Sequence, residues 1–208
     1  MSTPRIGVLA LQGAFREHVL ALRRLGVDAV PLRSAEELDD LDGVVLPGGE
    51  STTMDKLLRK FGLQQPLRRE IEEGMPVLAT CAGLILLADT VIDGLPDQES
   101  LHILPVSVRR NAYGRQPDSF EADVDVDFLD QPFRGVFIRS PMIESVDGPV
   151  DIHASVGGDI VMVGDGQVLG LTFHPELSGD DRIHEFWVRD FLPRWQTRRG
   201  SVDAQGAG

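Results

Sequence analysis

The sequence predicts a single α/β domain with a mostly parallel central sheet, helices on both faces and additional antiparallel strands in its second half. In the first half, short apolar runs alternate with amphipathic segments, which is typical of strands buried on both faces. The 208 residues are enough for one sizeable core, and no linker-like stretch separates the halves. We therefore expect one domain over residues 1–196 and a disordered tail over residues 197–208.

The first half predicts a regular succession of strands and helices. Apolar runs ended by glycine, proline or polar residues predict strands over 6–11, 29–32, 44–46 and 77–79. Helical spacing of apolar residues predicts helices over 15–25, 53–60, 65–73 and 82–88. Ser34, with Glu37 three residues later, predicts a capped acidic turn. Strands that alternate with helices favour a parallel sheet covered on both faces.

The second half predicts mainly strands, with turn residues between them. The runs are 106–110, 121–128, 136–139, 150–154, 160–163 and 168–173. Their spacing favours antiparallel pairing. A final helix begins near Asp180 and Asp181 and is interrupted by Pro193.

The acidic composition argues against two classes of partner. Twenty Lys and Arg residues against 33 Asp and Glu residues leave a formal net charge of −13. Such a field repels phosphate backbones and anionic lipids, so neither nucleic acid nor a membrane is expected as a partner. No secretory leader pattern or long apolar span is found, and the single cysteine suits a reducing compartment. We expect a cytoplasmic protein without a metal or cofactor.

The strongest local signal is a cysteine between a strand and a helix. Cys81 follows the run 77–79 and directly precedes Ala82, where the helix begins. A nucleophile on so tight a turn needs small residues two positions away on each side, and Ala79 and Gly83 supply them. The helix amino terminus favours the thiolate, and adjacent amides can receive an oxyanion. Without this context, a lone cysteine is more often a buried core residue.

A candidate base follows the last predicted strand. In His174-Pro175-Glu176 the proline stiffens the turn, and the carboxylate two residues on can accept the imidazole N–H. Taken alone, the tripeptide is better explained as a strand-ending turn with a solvated glutamate, and it gains weight only because it follows Cys81 in the same chain. The remaining histidines are expected to be structural; they are His18, His102, His153 and His184.

Two adjacent glycines follow the third predicted strand. Gly48 and Gly49 allow backbone N–H groups to approach a ligand, and they lie where a doubly wound sheet places its ligand loops. They could stabilise an oxyanion. A tight turn into a helix capped by Ser51 or Thr52 explains the same residues, and the two interpretations are compatible.

Taken in order, the Gly-Gly-Glu-Ser loop, the Thr-Cys-Ala-Gly turn and His-Pro-Glu resemble the class I, or triad, glutamine amidotransferases. Further segments at 10–13, 47–53, 110–116 and 137–141 resemble the glutaminase subunits of pyridoxal 5'-phosphate synthase. The most specific of these is Arg-Asn-x-x-Gly-Arg-Gln, which begins at Arg110. The resemblance covers residues 6–192. Tyr113 replaces an expected phenylalanine, and the segment 101–105 is unusual, but neither departure touches the triad.

The resemblance implies hydrolysis of glutamine to glutamate and ammonia. The ammonia would pass to a synthase subunit that makes pyridoxal 5'-phosphate from a pentose phosphate and a triose phosphate. Cys81 would attack the amide, with His174 and Glu176 completing the triad.

The resemblance also implies binding roles for several loop residues. Glutamine and the oxyanion would be held by Gly49, Glu50, Ser51, Arg110, Ile138 and Arg139, with Gly48 and Ala82 in the oxyanion loops. An arginine suits the α-carboxylate because its guanidinium binds carboxylate in a bidentate way, although surface ion pairing would also explain both arginines. Gln12, after the first strand, would couple the site to the synthase subunit.

Two other functions remain open on the residues alone. A stand-alone cysteine amidohydrolase of similar fold would release its ammonia to no partner. A regulatory subunit would bind glutamine without turnover, although the intact Cys81, His174 and Glu176 argue against it.

Overall fold

A computed structural model describes residues 3–110 and 119–193 of the chain. Its strands are β1 (Arg5–Leu9), β2 (Asp28–Leu32), β3 (Gly43–Leu46), β4 (Val77–Thr80), β5 (Ala88–Ile92), β6 (Leu104–Arg109), β7 (Ser119–Val124), β8 (Phe133–Ile138), β9 (Met142–Val146), β10 (Asp151–Val156), β11 (Asp159–Gly164) and β12 (Val168–Leu171). The helices are α1 (Phe15–Arg24), α2 (Ser51–Lys60), α3 (Gln64–Glu72), α4 (Ala82–Leu87) and α5 (Arg182–Asp190), with 3₁₀ turns at Ala35–Glu37 and Pro175–Leu177.

The central sheet has a parallel half and a largely antiparallel half. Its strand order is β2-β1-β3-β4-β12-β11-β9-β6-β5, and β10 pairs with β11. The first five of these strands run parallel, whereas β11, β9 and β6 join through antiparallel pairs. β7 and β8 form a separate antiparallel pair. The carboxyl ends of β1, β3, β4 and β12 therefore meet at one edge of the sheet.

Side chains on the two faces of the sheet form two hydrophobic clusters. In β3, Val44 and Leu46 point into one cluster and Val45 into the other, because successive strand side chains alternate between faces. Helices α2, α3 and α4 cover the first face, and α1, α5 and the β7–β8 pair cover the second. All four residues of β3 and of β4 are fully buried, as their unbroken apolar runs predict.

The predicted fold class is confirmed, with local corrections. The prediction missed β5 and β9, in which Asp89 and Glu144 interrupt the apolar runs. The helix predicted over 82–88 ends at Leu87, since Ala88 already pairs with Leu104 across β5 and β6. The strand predicted over 121–128 ends at Val124.

Two predictions fall on parts of the chain that the structure does not describe. The tail over 197–208 lies outside the described residues, as do residues 111–116 of the Arg-Asn-x-x-Gly-Arg-Gln segment. Within residues 3–110 and 119–193, no helix combines the length and apolar character that crossing a membrane requires.

Candidate active site

Cys81 occupies a strained turn between β4 and α4. Its backbone has φ 49° and ψ −106°, a combination that a residue with a side chain rarely adopts. The Cys81 amide donates a 2.8 Å hydrogen bond to the carbonyl of Leu171 in β12, which fixes the turn to the neighbouring strand. Gly83 packs against the backbone of Leu46, where a Cβ atom would come within 2.0 Å of the carbonyl oxygen. The geometry is that of the predicted nucleophile turn.

His174 lies directly beyond β12 and is oriented by Glu176. Its Nδ1 is 2.7 Å from Oε1 of Glu176, and both side chains are buried. Burial alone would lower the pKa of His174, but the nearby Cys81 sulfur and the hydrogen bond with Glu176 outweigh it and raise the pKa to about 10. Burial also opposes ionisation of Glu176, but the attraction of His18 and the hydrogen bond with His174 hold its pKa below the ordinary value. At neutral pH the site therefore holds an imidazolium in the same cavity wall as Cys81.

The glycine loop after β3 lies against the histidine. A Cβ at Gly48 would come within 2.2 Å of Cε1 of His174, so only glycine fits there. Helix α2 begins directly after this loop, and its N-cap is Glu50 rather than the predicted Ser51 or Thr52. The Glu50 carboxylate accepts hydrogen bonds from the amides of Thr52 and Thr53. Burial opposes this ionisation, but the hydrogen bonds outweigh it and lower the pKa of Glu50 to about 2.

The loop after β1 is hydrogen-bonded to the glycine loop. Oε1 of Gln12 accepts the amide of Glu50 at 2.7 Å, and the amide of Ala14 donates to the carbonyl of Gly48 at 3.1 Å. A Cβ at Gly49 would come within 2.2 Å of Oε1 of Gln12. A movement of either loop therefore affects the other.

Two arginines line the cavity and differ in burial and in ion pairing. Arg110 is mostly buried and pairs with Glu50 at 3.0 Å and with the Gln98 side chain at 2.8 Å. Arg139 is exposed, has a left-handed backbone with φ 43°, and forms no ion pair within the described ranges. Among the described residues, ion pairing is thus found at Arg110 and not at Arg139.

The predicted site residues converge on one cavity of about 300 Å³. Those in its wall are Gln12, Gly48, Gly49, Glu50, Ser51, Cys81, Ala82, Arg110, Ile138, Arg139 and His174. Glu176 lies behind His174, as expected of a group that orients the imidazole. Sequence reasoning missed Gly13, Ala14, Ile85 and Leu177, which also line the cavity. Among the described residues, no group of three or more His, Cys, Asp or Glu side chains is placed to hold a metal ion.

The chain is similar to known proteins over most of its length. It matches the SNO glutamine amidotransferase family over residues 8–193. A protein from Acidothermus cellulolyticus named pyridoxal 5'-phosphate synthase subunit PdxT is 53% identical, and the alignment covers 89% of this chain and 92% of that protein. The Corynebacterium jeikeium protein of the same name is 52% identical, with 88% and 95% covered. A crystal structure described as a glutamine amidotransferase superposes with a TM-score of 0.84 at 45% identity, covering 88% of this chain and 97% of the other.

Proposed function

The chain belongs to the SNO glutamine amidotransferase family, and on this basis we propose that Cys81, His174 and Glu176 hydrolyse glutamine and that the ammonia passes to a pyridoxal 5'-phosphate synthase subunit. Relatives more than half identical over about nine tenths of the chain bear the name of that synthase's subunit. The predicted family, glutaminase activity and role in vitamin B6 synthesis are thereby confirmed. The observation that carries the proposed mechanism is a cysteine on a strained turn beside an imidazole bound to a buried carboxylate.

The reaction proceeds in two halves. The Cys81 thiolate attacks the side-chain amide carbon of glutamine, and the oxyanion that forms is received by backbone N–H groups of Gly49 and Ala82. The His174 imidazolium then protonates the departing nitrogen, which leaves as ammonia and gives a thioester on Cys81. In the second half, neutral His174 takes a proton from water, the hydroxide attacks the thioester, and glutamate leaves as the thiolate is restored.

Recognition of glutamine uses charges at the mouth of the cavity. The free guanidinium of Arg139 suits the α-carboxylate, because no ion pair with the described residues has to be broken. The ionised Glu50 suits the α-ammonium group, while its own ion pair with Arg110 keeps the carboxylate in place. Ser51 and the backbone of Ile138 complete the wall beside Cys81.

Replacing Glu176 by glutamine is expected to lower kcat for glutamine about 100-fold and to change KM less than threefold. The substitution keeps the shape but removes the negative charge that orients and stabilises the His174 imidazolium, while substrate contacts are left in place. Steady-state ammonia release, measured in the presence of the synthase subunit, checks this. Glu72→Gln, at an exposed ion pair with Arg68, is the matched control. An unchanged kcat would show that another group orients the imidazole.

We propose that coupling to the synthase subunit acts through the Gln12 loop. Ammonia is largely protonated and non-nucleophilic at neutral pH, so hydrolysis without an acceptor wastes glutamine. The Gly48–Gly49 peptide can rotate because neither residue has a side chain. Its carbonyl is held by the amide of Ala14, so a contact that moves the Gln12–Ala14 loop changes where the Gly49 N–H points.

Adding the synthase subunit is expected to raise steady-state ammonia release at least tenfold, which corresponds to about 1.4 kcal/mol on the transition state. Gln12→Ala should bind the partner yet lose most of this activation, because it removes the hydrogen bond to Glu50. Equal rates with and without a verified bound partner would refute the coupling and favour the stand-alone amidohydrolase. Binding of glutamine without any turnover would favour the regulatory subunit.

The proposed compartment is the cytoplasm. Cys81 is a free thiol, and the proposed mechanism requires that it stay reduced.

A further inference from the structure

Behind the proposed triad lies a second group of buried polar side chains. His18 in α1, His184 in α5 and Thr80 at the end of β4 are completely buried, and the side chain of Glu176 is buried with them. Nδ1 of His18 is 2.9 Å from Nε2 of His184. Nε2 of His18 is 3.2 Å from Oγ1 of Thr80 and 3.3 Å from Oε2 of Glu176. His18 therefore touches both the residue before Cys81 and the carboxylate behind His174.

The contacts select one tautomer of His18. An unprotonated ring nitrogen would set its lone pair against the carboxylate, so the His18 nitrogen 3.3 Å from Oε2 must carry the proton, and its hydrogen bond is made to Oγ1 of Thr80. Nδ1 of His18 is then unprotonated and accepts from the Nε2–H of His184. This leaves Nδ1 of His184 as a buried acceptor without a hydrogen-bond partner in the described part of the chain, and Oε2 of Glu176, which only approaches Nε2 of His18, has none there either.

Both histidines are neutral at neutral pH. Burial lowers the pKa of His18, and burial together with the neighbouring His18 lowers that of His184 to about 3. The neutral state leaves each ring one N–H, and the arrangement above uses both. The titratable groups that face His18 are Glu176, His174, His184 and, on its own helix, Glu17.

We propose that His18 is a positioning residue for the glutaminase reaction: its Nε2–H, oriented by His184 and hydrogen-bonded to Thr80, faces the second carboxylate oxygen of Glu176 at 3.3 Å and stabilises its negative charge while His174 binds the first. The proposal rests on the function proposed for the triad. Without the His18 N–H 3.3 Å from Oε2, the carboxylate could rotate away from the imidazole, and the burial of Oε2 would favour the protonated acid. His18 thus keeps Glu176 ionised and in line with Nδ1 of His174.

Two substitutions at position 18 separate this role from simple packing. The side-chain amide of glutamine reaches the place of Nε2, so His18→Gln keeps a donor toward Glu176. The shorter asparagine places its amide near Nδ1, so His18→Asn keeps the contact with His184 and loses the one with Glu176. Both are polar, uncharged and smaller than or similar to histidine, and either is better tolerated in this polar pocket than His18→Leu.

The test is ammonia release by the full chain with the synthase subunit, measured from pH 5 to 9. We expect His18→Asn to lower kcat about tenfold with KM within twofold, and to move the acidic limb of the kcat profile to higher pH. The limb moves in that direction because loss of the His18 N–H raises the pKa of the Glu176 carboxyl. The titratable side chains that face this carboxyl are His18 and His174. His18→Gln should recover most of kcat and the original limb. His153→Leu, at a histidine paired with Asp127 away from the cavity, is the control.

The outcomes are distinct. Equal losses in His18→Asn and His18→Gln with an unmoved limb would overturn the proposal, as would a kcat for His18→Asn within twofold of the original. If neither variant folds, His184→Asn, whose shorter side chain loses the donor toward Nδ1 of His18, must show the same shift of the acidic limb or the proposal fails. Cys81→Ala in the same assay reports separately on the proposed triad: activity in that variant would refute the triad itself.

Discussion

Replacing Cys81 by alanine is expected to lower glutamine hydrolysis by about 10⁴-fold or more while the fold is retained. The substitution removes the atom that attacks the amide, and no other cysteine exists in the sequence to replace it. Water acting directly on a bound amide lacks the thioester step, so the residual rate should be close to background. Ammonia release with saturating glutamine and bound synthase subunit is the measurement.

The fold and the partner surface should survive this substitution. The turn is held by the Cys81 amide, which alanine keeps, and the side chain donates only a long 3.9 Å contact from Sγ to the carbonyl of Ile138. Thermal unfolding and binding to the synthase subunit should match those of the original chain. Retained ammonia release in a folded Cys81→Ala variant would contradict the proposed triad.

The residues of the candidate active site could be brought together from the sequence because they lie at strand ends. Cys81, His174 and Gly48 each follow a short buried run, and parallel strands bring their carboxyl ends to one edge. The buried runs are visible in the sequence because both faces of each strand are covered. Local sequence patterns are enough to bring these three residues together, without knowledge of contacts between residues far apart in the chain.

The polar contacts around the site could not be predicted in the same way. His18 lies on an amphipathic helix, and its position alone is that of an ordinary residue on the buried face. Its partners Thr80 and His184 are 62 and 166 residues away, so the pattern within α1 carries no sign of them. The N-cap of α2 was misplaced for a related reason. Ser51 and Thr52 are the better local candidates, but Glu50 also pairs with Arg110, 60 residues later.

The requirement for small residues two positions before and after Cys81 was predicted from the geometry of the turn. The structure shows why the second of them, Gly83, must be glycine. Gly83 lies in the first turn of α4, where the helix packs directly on the backbone of β3. A Cβ atom there would come within 2.0 Å of the Leu46 carbonyl oxygen and 2.7 Å of its carbon. Neither atom can move without shifting β3, which pairs with β1 and β4 in the centre of the sheet.

Gly83→Ala is therefore expected to lower the free energy of unfolding by about 3 kcal/mol or more, a large part of the roughly 5–15 kcal/mol typical of a domain. In whatever fraction stays folded, α4 must move away from β3 and carry Cys81 out of line with His174, so activity falls as well. Chemical denaturation of the full chain measures the first effect. Gly94→Ala is the matched control, because its Cβ would lie 3.3 Å from the Val91 side chain and 3.5 Å from the Val91 carbonyl oxygen, and it should change stability by less than about 1 kcal/mol. If the two variants unfold at the same denaturant concentration, the close packing of α4 on Leu46 does not hold the nucleophile turn in place.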